Sequence, residues 1–169
     1  MEIITSHNNK EISLIEYFLC DTFAGKMLVA QYADAVCFIA FVEQLGIDAT
    51  LCELHSRFPK AKLRQISNSY NPTRLLPQKI LLVGTKFQIK IWQTLLSVNY
   101  GETATYSEIA SKAGYPKAIR ATASAIGRNP ISYIIPCHRI IPASKDAGNY
   151  HWGKNIKRCL LENEGIILP

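Results

Sequence analysis

The chain has 169 residues, enough for one domain of ordinary size or two small ones. With 48% hydrophobic and 19% charged residues it holds material for a packed core, which excludes a disordered chain as the leading reading. The net charge of +6 is uneven: residues 1–77 carry 7 Lys/Arg against 8 Asp/Glu, and residues 78–169 carry 12 against 5. A basic half beside a near-neutral one points to a polyanion partner as readily as to a plain solvated surface.

The first element signals come at Lys26–Tyr32 and Ala35–Phe41, two apolar runs read as strands joined at Ala33-Asp34. Asp48 is a candidate cap for a helix bearing Leu51, Leu54 and Phe58, with Pro59 just beyond. Ser67 to Pro77 lacks periodicity and reads as a linker. The short apolar segment Ile80 to Val83 then leads into a helical part. These features predict a small α/β N-terminal subdomain with its linker over residues 1–77 and a mainly helical one over 78–169.

Two capping boxes strengthen the helical reading. Thr85-x-x-Gln88 precedes Phe87, Ile91 and Leu95 on one face, and Thr105-x-x-Glu108 opens a short helix that ends near Gly114. Pro116 suits the first turn of a following helix running to about Ile126. Helix, glycine turn and helix form the outline of a helix-turn-helix, although many helical domains share it. Ala118, Ala121, Ala123 and Ala125 keep the second helix low, with Arg120 standing among them. Such a surface suits close approach to a nucleic-acid backbone, and equally suits tight helix packing.

The five cysteines, Cys20, Cys37, Cys52, Cys137 and Cys159, form no C-x-x-C pair and are odd in number, which disfavours a disulfide framework or a zinc knuckle. The N-terminus has no basic region and no apolar stretch, and the longest apolar run, Ala35 to Val42, is too short to span a bilayer. A soluble, cytoplasmic protein with reduced thiols is expected. Within Ile135-Pro-Cys-His-Arg-Ile140, a thiol and an imidazole are neighbours. A thiol attacks as the thiolate, and an imidazole can take its proton directly or through water. Adjacent residues on an extended chain point to opposite sides, so Cys137 and His138 need a bend or a water between them, and Pro136 is consistent with a bend. Taken alone, such a pair is more often a buried structural cysteine beside a histidine.

The wider context changes that weighting. Arg120-Ala-x-x-x-Ala125, Asn129-Pro130 and Pro136-Cys-His-Arg-Ile140 closely resemble the O6-alkylguanine-DNA alkyltransferases, the methylated-DNA-protein-cysteine methyltransferases. Phe87-Gln-x-x-Ile-Trp92, Gly101-Glu-Thr103 with Tyr106, Gly148-Asn-Tyr150, and Lys157 through Leu160-Leu161-x-x-Glu164-Gly165 follow in the family's order. The resemblance is strong from about Gly84 to Gly165, whereas residues 1–77 match only in outline.

This resemblance implies a mainly helical, helix-turn-helix subdomain packed on an α/β one. It implies irreversible, single-turnover transfer of a methyl or alkyl group from O6-alkylguanine in double-stranded DNA to Cys137. His138 would act as base through a water, Glu164 would orient it, and Asn129 would brace the turn. Arg120 would fill the space left by the flipped base, and Tyr106 would help protonate the leaving guanine. Backbone groups of Cys137 and Ile140 would read the base edge, while the loop at Tyr150, His151 and Trp152 would close over it. A monomer needing neither cofactor nor metal is expected. Asn99-Tyr100, Thr122, Lys145-Asp146-Ala147 and Trp152 depart from the usual pattern; Trp152 stands where many relatives have glycine, so a gate against bulky alkyl groups is expected there. A damage-binding module without chemistry, and a thiol hydrolase that turns over, are the two other readings.

Overall fold

The computed structural model describes residues 1–144 and 148–168; the substituted loop Lys145-Asp146-Ala147 lies outside the described residues. The fold is mixed α/β, with eight strands and five α-helices among those residues. They gather into two compact units, residues 1–85 with 130–134, and residues 86–129 with the described residues from 135 onward.

The first unit is built on a six-stranded sheet. Its strands are β1 (Glu2–Ser6), β2 (Leu14–Thr22), β3 (Gly25–Tyr32), β4 (Ala35–Phe41), β5 (Lys62–Gln65) and β6 (Lys79–Val83), in the order β1-β6-β4-β3-β2-β5. The β3–β4 hairpin turns at Ala33-Asp34, with Ala33 at φ 51°. Every residue of β4 is buried, the signature of a strand covered on both faces. Helix α1 (Ile47–Arg57) is capped by Gly46, at φ 82°, and not by Asp48. Asp48 lies in the first helical turn, where a negative charge suits the helix dipole.

Strands β1, β2 and β5 gave no clear signal in the sequence. β1 and β5 are sheet edges and mostly exposed, so they need no apolar pattern. Strand β6 pairs in parallel with β1 and β4, so it belongs to the first unit, and the expected division at 77/78 falls one strand early. The first unit also takes back residues 130–134. Ile39 N–H donates to the Pro130 carbonyl at 2.9 Å, and Ser132 N–H donates to the Ile39 carbonyl at 3.0 Å. Pairing across some ninety residues of chain leaves no trace in local periodicity.

The second unit holds α2 (Lys86–Leu95), β7 (Ala104–Thr105), α3 (Tyr106–Lys112), α4 (Ile119–Gly127), β8 (Ile140–Ile141) and α5 (Lys154–Asn163). Helix α2 buries Ile89, Ile91, Trp92 and Leu95, and Trp92 Nε1 donates to the Ala125 carbonyl at 2.8 Å, tying α2 to α4. The expected capping box opens α3: Thr105 accepts from Glu108 N–H, and Glu108 reaches back to Thr105 N–H. Gly114, at φ 90°, ends the turn after α3. Helix α4 begins at Ile119 and not near Pro116, because Ala118 N–H first closes a turn on the Tyr115 carbonyl at 2.9 Å. Strands β7 and β8 pair in parallel, Ala104 with Ile140 and Thr105 with Ile141, which anchors the chain just after the Cys137 turn. No helix among the described residues is long and apolar enough to cross a membrane.

Candidate active site

The bend at Pro136 is a definite one. Pro136 has φ −80° and ψ 60°, and Cys137 N–H donates to the Ile135 carbonyl at 2.7 Å, an inverse γ-turn. A 3-10 turn over Cys137–Arg139 follows at once. Three residues per turn separate successive side chains by about 120°, so Cys137 and His138 diverge instead of lying on opposite sides of a strand. Both are buried. Asn129, two residues beyond α4 and itself buried, donates through Nδ2 to the Ile135 carbonyl at 2.9 Å and to Cys137 Sγ at 3.0 Å. It braces the turn and touches the sulfur with the same amide. The Tyr150 hydroxyl lies 3.8 Å from Sγ.

His138 Nε2 is 2.9 Å from Glu164 Oε1. Glu164 caps the C-terminus of α5, an unfavourable place for a negative charge unless it has partners. It has several. Arg139 Nε lies 2.9 Å from Oε2, Arg139 Nη2 lies 3.0 Å from Oε1, and Gly101 N–H points at Oε2 from 3.2 Å. Burial pushes the carboxyl up, but the hydrogen bonds from His138, Arg139 and the Gly101 N–H outweigh it and hold it at about 2. Glu164 is therefore a carboxylate that only accepts, so His138 Nε2 carries the hydrogen. The ring's basic lone pair is then on Nδ1.

Burial also governs the other two groups. It pushes the Cys137 thiol up, while Asn129, Tyr150 and the Lys157 charge pull against it. It holds the His138 imidazole below its usual range, against the pull of Glu164 and reinforced by the charges of Arg139 and Lys157. The resting pair is thus a neutral thiol beside a neutral imidazole. The Glu164 carboxylate favours an imidazolium, but desolvation of the ring outweighs that pull.

A cavity of about 420 Å³, within the roughly 300–1,000 Å³ of ordinary ligand sites, has Cys137 in its wall. Tyr106, Asn129, Cys137, Tyr150, His151 and Trp152 line it, together with small or apolar residues from the C-terminal half of α4. The Tyr106 hydroxyl is held above its usual range, first by burial and then by the neighbouring Cys137. Trp152 is both a wall residue and buried, and its ring meets that of His151 edge-on at 4.3 Å. Arg120 is exposed in the first turn of α4 and does not line the cavity. Ile140 is buried outside the lining; its N–H bonds to the Cys137 carbonyl and its carbonyl accepts from Lys157 Nζ at 2.6 Å.

Lys157 and Arg139 were visible in the sequence only as motif letters. Lys157, Leu160, Leu161 and Glu164 follow the i, i+3, i+4, i+7 spacing of a buried helix face, and all four are buried. A lysine on such a face was the available signal that it has a buried partner.

Chemically, the site offers a buried thiol, an oriented base and a cavity of ligand size, which are the parts of a cysteine nucleophile. Residues 86–166 match the family model of the 6-O-methylguanine DNA methyltransferase DNA-binding domain. Over 163 residues the chain is 36% identical to the Salmonella typhimurium regulatory protein Ada, covering 89% of this chain and 45% of that protein. Over 88 residues it is 52% identical to a methylated-DNA–protein-cysteine methyltransferase of Mycobacterium tuberculosis, covering 52% of this chain and 53% of that protein. The chain spans about half the length of the curated relatives it matches. Among solved structures, the M. tuberculosis O6-methylguanine methyltransferase superposes with a TM-score of 0.65 at 31% identity, over 89% of this chain and 93% of that one. The M. tuberculosis OGT in complex with DNA superposes equally well, at 32% identity over 88% and 92% of the two chains. This chain belongs to the O6-methylguanine DNA methyltransferase family.

Proposed function

We propose that this protein repairs DNA by moving a methyl or other alkyl group from O6-alkylguanine to its own Cys137, once per molecule. The observation that carries this reading is Cys137 in the cavity wall, its sulfur bonded by Asn129 and followed by an imidazole whose Nε2 is committed to Glu164. His138 Nδ1 takes the thiol proton through a water. Sulfur then bonds to the alkyl carbon as the carbon–O6 bond breaks, and that electron pair leaves with the guanine, which takes up one proton. Tyr106, kept protonated at neutral pH, is positioned to help supply it. The product is a thioether, which water does not readily hydrolyse, so the reaction is stoichiometric.

The partner is double-stranded DNA. Helices α3 and α4 with the Gly114 turn serve as a helix-turn-helix at the minor groove, where the small residues of α4 permit close approach. The damaged atom lies inside the duplex, so the base is flipped into the cavity, and exposed Arg120 fills the gap. The M. tuberculosis relative solved with DNA supports a DNA partner. Cys137 and Ile140 read the guanine edge with backbone groups; the Ile140 carbonyl bonds to Lys157 and keeps a second lone pair for the base. Tyr150, His151 and Trp152 cover the alkyl group. The protein acts as a cytoplasmic monomer.

Mass spectrometry after mixing with an oligonucleotide containing O6-methylguanine tests this. One methyl per chain, on the Cys137 peptide, is expected. Binding without methylation would mean a damage-recognition module, and turnover beyond one equivalent would mean a hydrolase.

A further inference from the structure

Arg139 follows the Cys-His pair, and nothing in the relay above uses it. Its guanidinium grips the Glu164 carboxylate, with Nε 2.9 Å from Oε2 and 3.2 Å from Oε1, and Nη2 3.0 Å from Oε1. Nη1 donates to the Val98 carbonyl at 2.7 Å. The guanidinium carbon lies 5.8 Å from the centre of the Tyr100 ring, and the Tyr100 hydroxyl donates to the Asn163 carbonyl at 2.7 Å, next to Glu164. The Arg139 side chain is only 15% exposed and that of Glu164 only 3%, so the pair is little screened by water. Oε1 is also the oxygen that accepts from His138 Nε2. One carboxylate oxygen thus serves a permanent cation and a conditional one.

We propose that Arg139 is a positioning residue which, clamped by Tyr100 and the Val98 carbonyl, shares the Glu164 charge with His138 and so limits how readily the imidazole takes the Cys137 proton before substrate binds. This rests on the reading of Cys137 as the acceptor thiol. A carboxylate beside an imidazole favours the imidazolium. A guanidinium on the same oxygen offsets much of that field and repels the incoming charge. The groups facing His138 are Glu164, which favours the charged ring, and Arg139 and Lys157, which oppose it along with burial. Those facing Cys137 are Asn129, Tyr150, Lys157 and Tyr106. With the Arg139 charge removed, the balance moves toward imidazolium and thiolate, and the thiol becomes reactive in the absence of substrate. The restraint is useful in a protein that reacts once, because a standing thiolate is open to oxidation and to stray electrophiles.

The test follows His138 by NMR and Cys137 by iodoacetamide labelling from about pH 5 to pH 9, the range in which imidazole and thiol titrate. Labelling is read at the Cys137 peptide, and neither measurement needs DNA. Arg139→Gln keeps a donor to the carboxylate and removes the charge, whereas Arg139→Lys keeps the charge. In Arg139→Gln the His138 midpoint should rise and the acid limb of labelling should move down by about one pH unit, making labelling there about tenfold faster. Arg139→Lys should follow the parent protein. An unchanged limb in folded Arg139→Gln, or slower labelling at every pH, overturns the proposal. If Arg139→Gln does not fold, Tyr100→Ala decides. Tyr100 is 63% exposed, so its truncation leaves the core intact. It should shift the limb the same way by a smaller factor, about threefold in rate, and no shift overturns the proposal. Methyl transfer from the modified oligonucleotide is measured in parallel on the parent protein. Failure there, with the labelling shift present, counts against alkyl transfer and leaves the role of Arg139 standing.

Discussion

Cys37 and Cys137 are both buried, one in each unit, yet their surroundings assign them different chemistry. Cys37 sits in β4 among residues that are all buried, its thiol donates to the Ala30 carbonyl at 3.5 Å, and burial drives it far above the usual thiol range. Burial is also the largest influence on Cys137, but there an amide, a phenol and an ammonium group pull the other way. Exposure does not distinguish them, at 1% and 6%. The polar partners do. Burial alone makes a thiol inert; burial with donors aimed at the sulfur and an oriented base nearby makes one that ionises when its proton has somewhere to go.

The sharpest way to break this contrast is Cys137→Ala. Transfer should vanish, with no methyl appearing on Cys37 or on Cys20, Cys52 or Cys159, while DNA binding persists. Peptide mass spectrometry and a binding isotherm check both halves, and methyl on any other cysteine would sink the assignment. Binding should weaken steeply with salt, because phosphate contacts by Lys and Arg release counterions; a flat salt dependence would argue against a basic DNA face.

Next in size is Trp152→Gly, which alters the wall around Cys137 and leaves the relay intact. If the indole limits alkyl size, the parent protein should take methyl well and benzyl poorly. A clash of about 3 kcal/mol is more than a hundredfold in rate. The variant should then gain about that factor with O6-benzylguanine while its methyl rate stays close to that of the parent. An unchanged benzyl-to-methyl ratio would remove Trp152 as the gate.

Glu164→Gln probes the partner set that Cys37 lacks. Removing the carboxylate leaves a little-exposed guanidinium without its counter-charge, a loss of about 3 kcal/mol, measurable by urea unfolding at neutral pH. The pH dependence has a definite sign. The folded carboxyl is held at about 2, below its ordinary 4.5, so its stabilisation is fully present above about pH 4.5 and fades as pH falls toward 2. The gap between parent and variant should narrow on acidification; a gap that stays constant down to pH 3 would mean that Glu164 carries no such linkage. Cys137 labelling should also slow, because the imidazolium formed during proton transfer loses its carboxylate.

Arg120→Ala should slow repair of duplex DNA about tenfold, a share of the few kcal/mol that base flipping costs, and leave reaction with free O6-methylguanine unaltered. Equal slowing on both substrates would give Arg120 another task. The smallest effect expected is on stability. Thr122 is buried in α4 and its hydroxyl has no hydrogen-bond partner among the described residues. Thr122→Val replaces that oxygen with a methyl and should raise stability by about 1 kcal/mol, seen as a higher urea midpoint at unchanged slope. A lower midpoint would show that the hydroxyl is satisfied in solution.

The features legible in the amino-acid order are those whose causes are local. The β3–β4 hairpin, the Thr105–Glu108 capping box, the Gly114 turn and the bend at Pro136 each depend on residues a few positions apart, and each is where the sequence puts it. The motif order from Phe87 to Gly165 likewise marked Cys137, His138, Asn129, Tyr106, Tyr150 and Trp152, which the fold gathers at one cavity or turn. Tertiary structure alone decided what depends on distant partners. The return of residues 130–134 to β4 and the pairing of β6 with β1 and β4 rest on backbone bonds between segments far apart in the chain. Asp48 and Pro116 are favourable at helix starts in general, but Gly46 and a Tyr115–Ala118 turn occupy those places here. The protonation of the site was decided there too. A carboxylate near a histidine predicts a charged ring, whereas the ring in this fold is almost wholly desolvated and shares that carboxylate with Arg139. How deeply a group is buried, and which charges face it, belong to the assembled structure, and for His138 they outweigh the pull of its nearest partner.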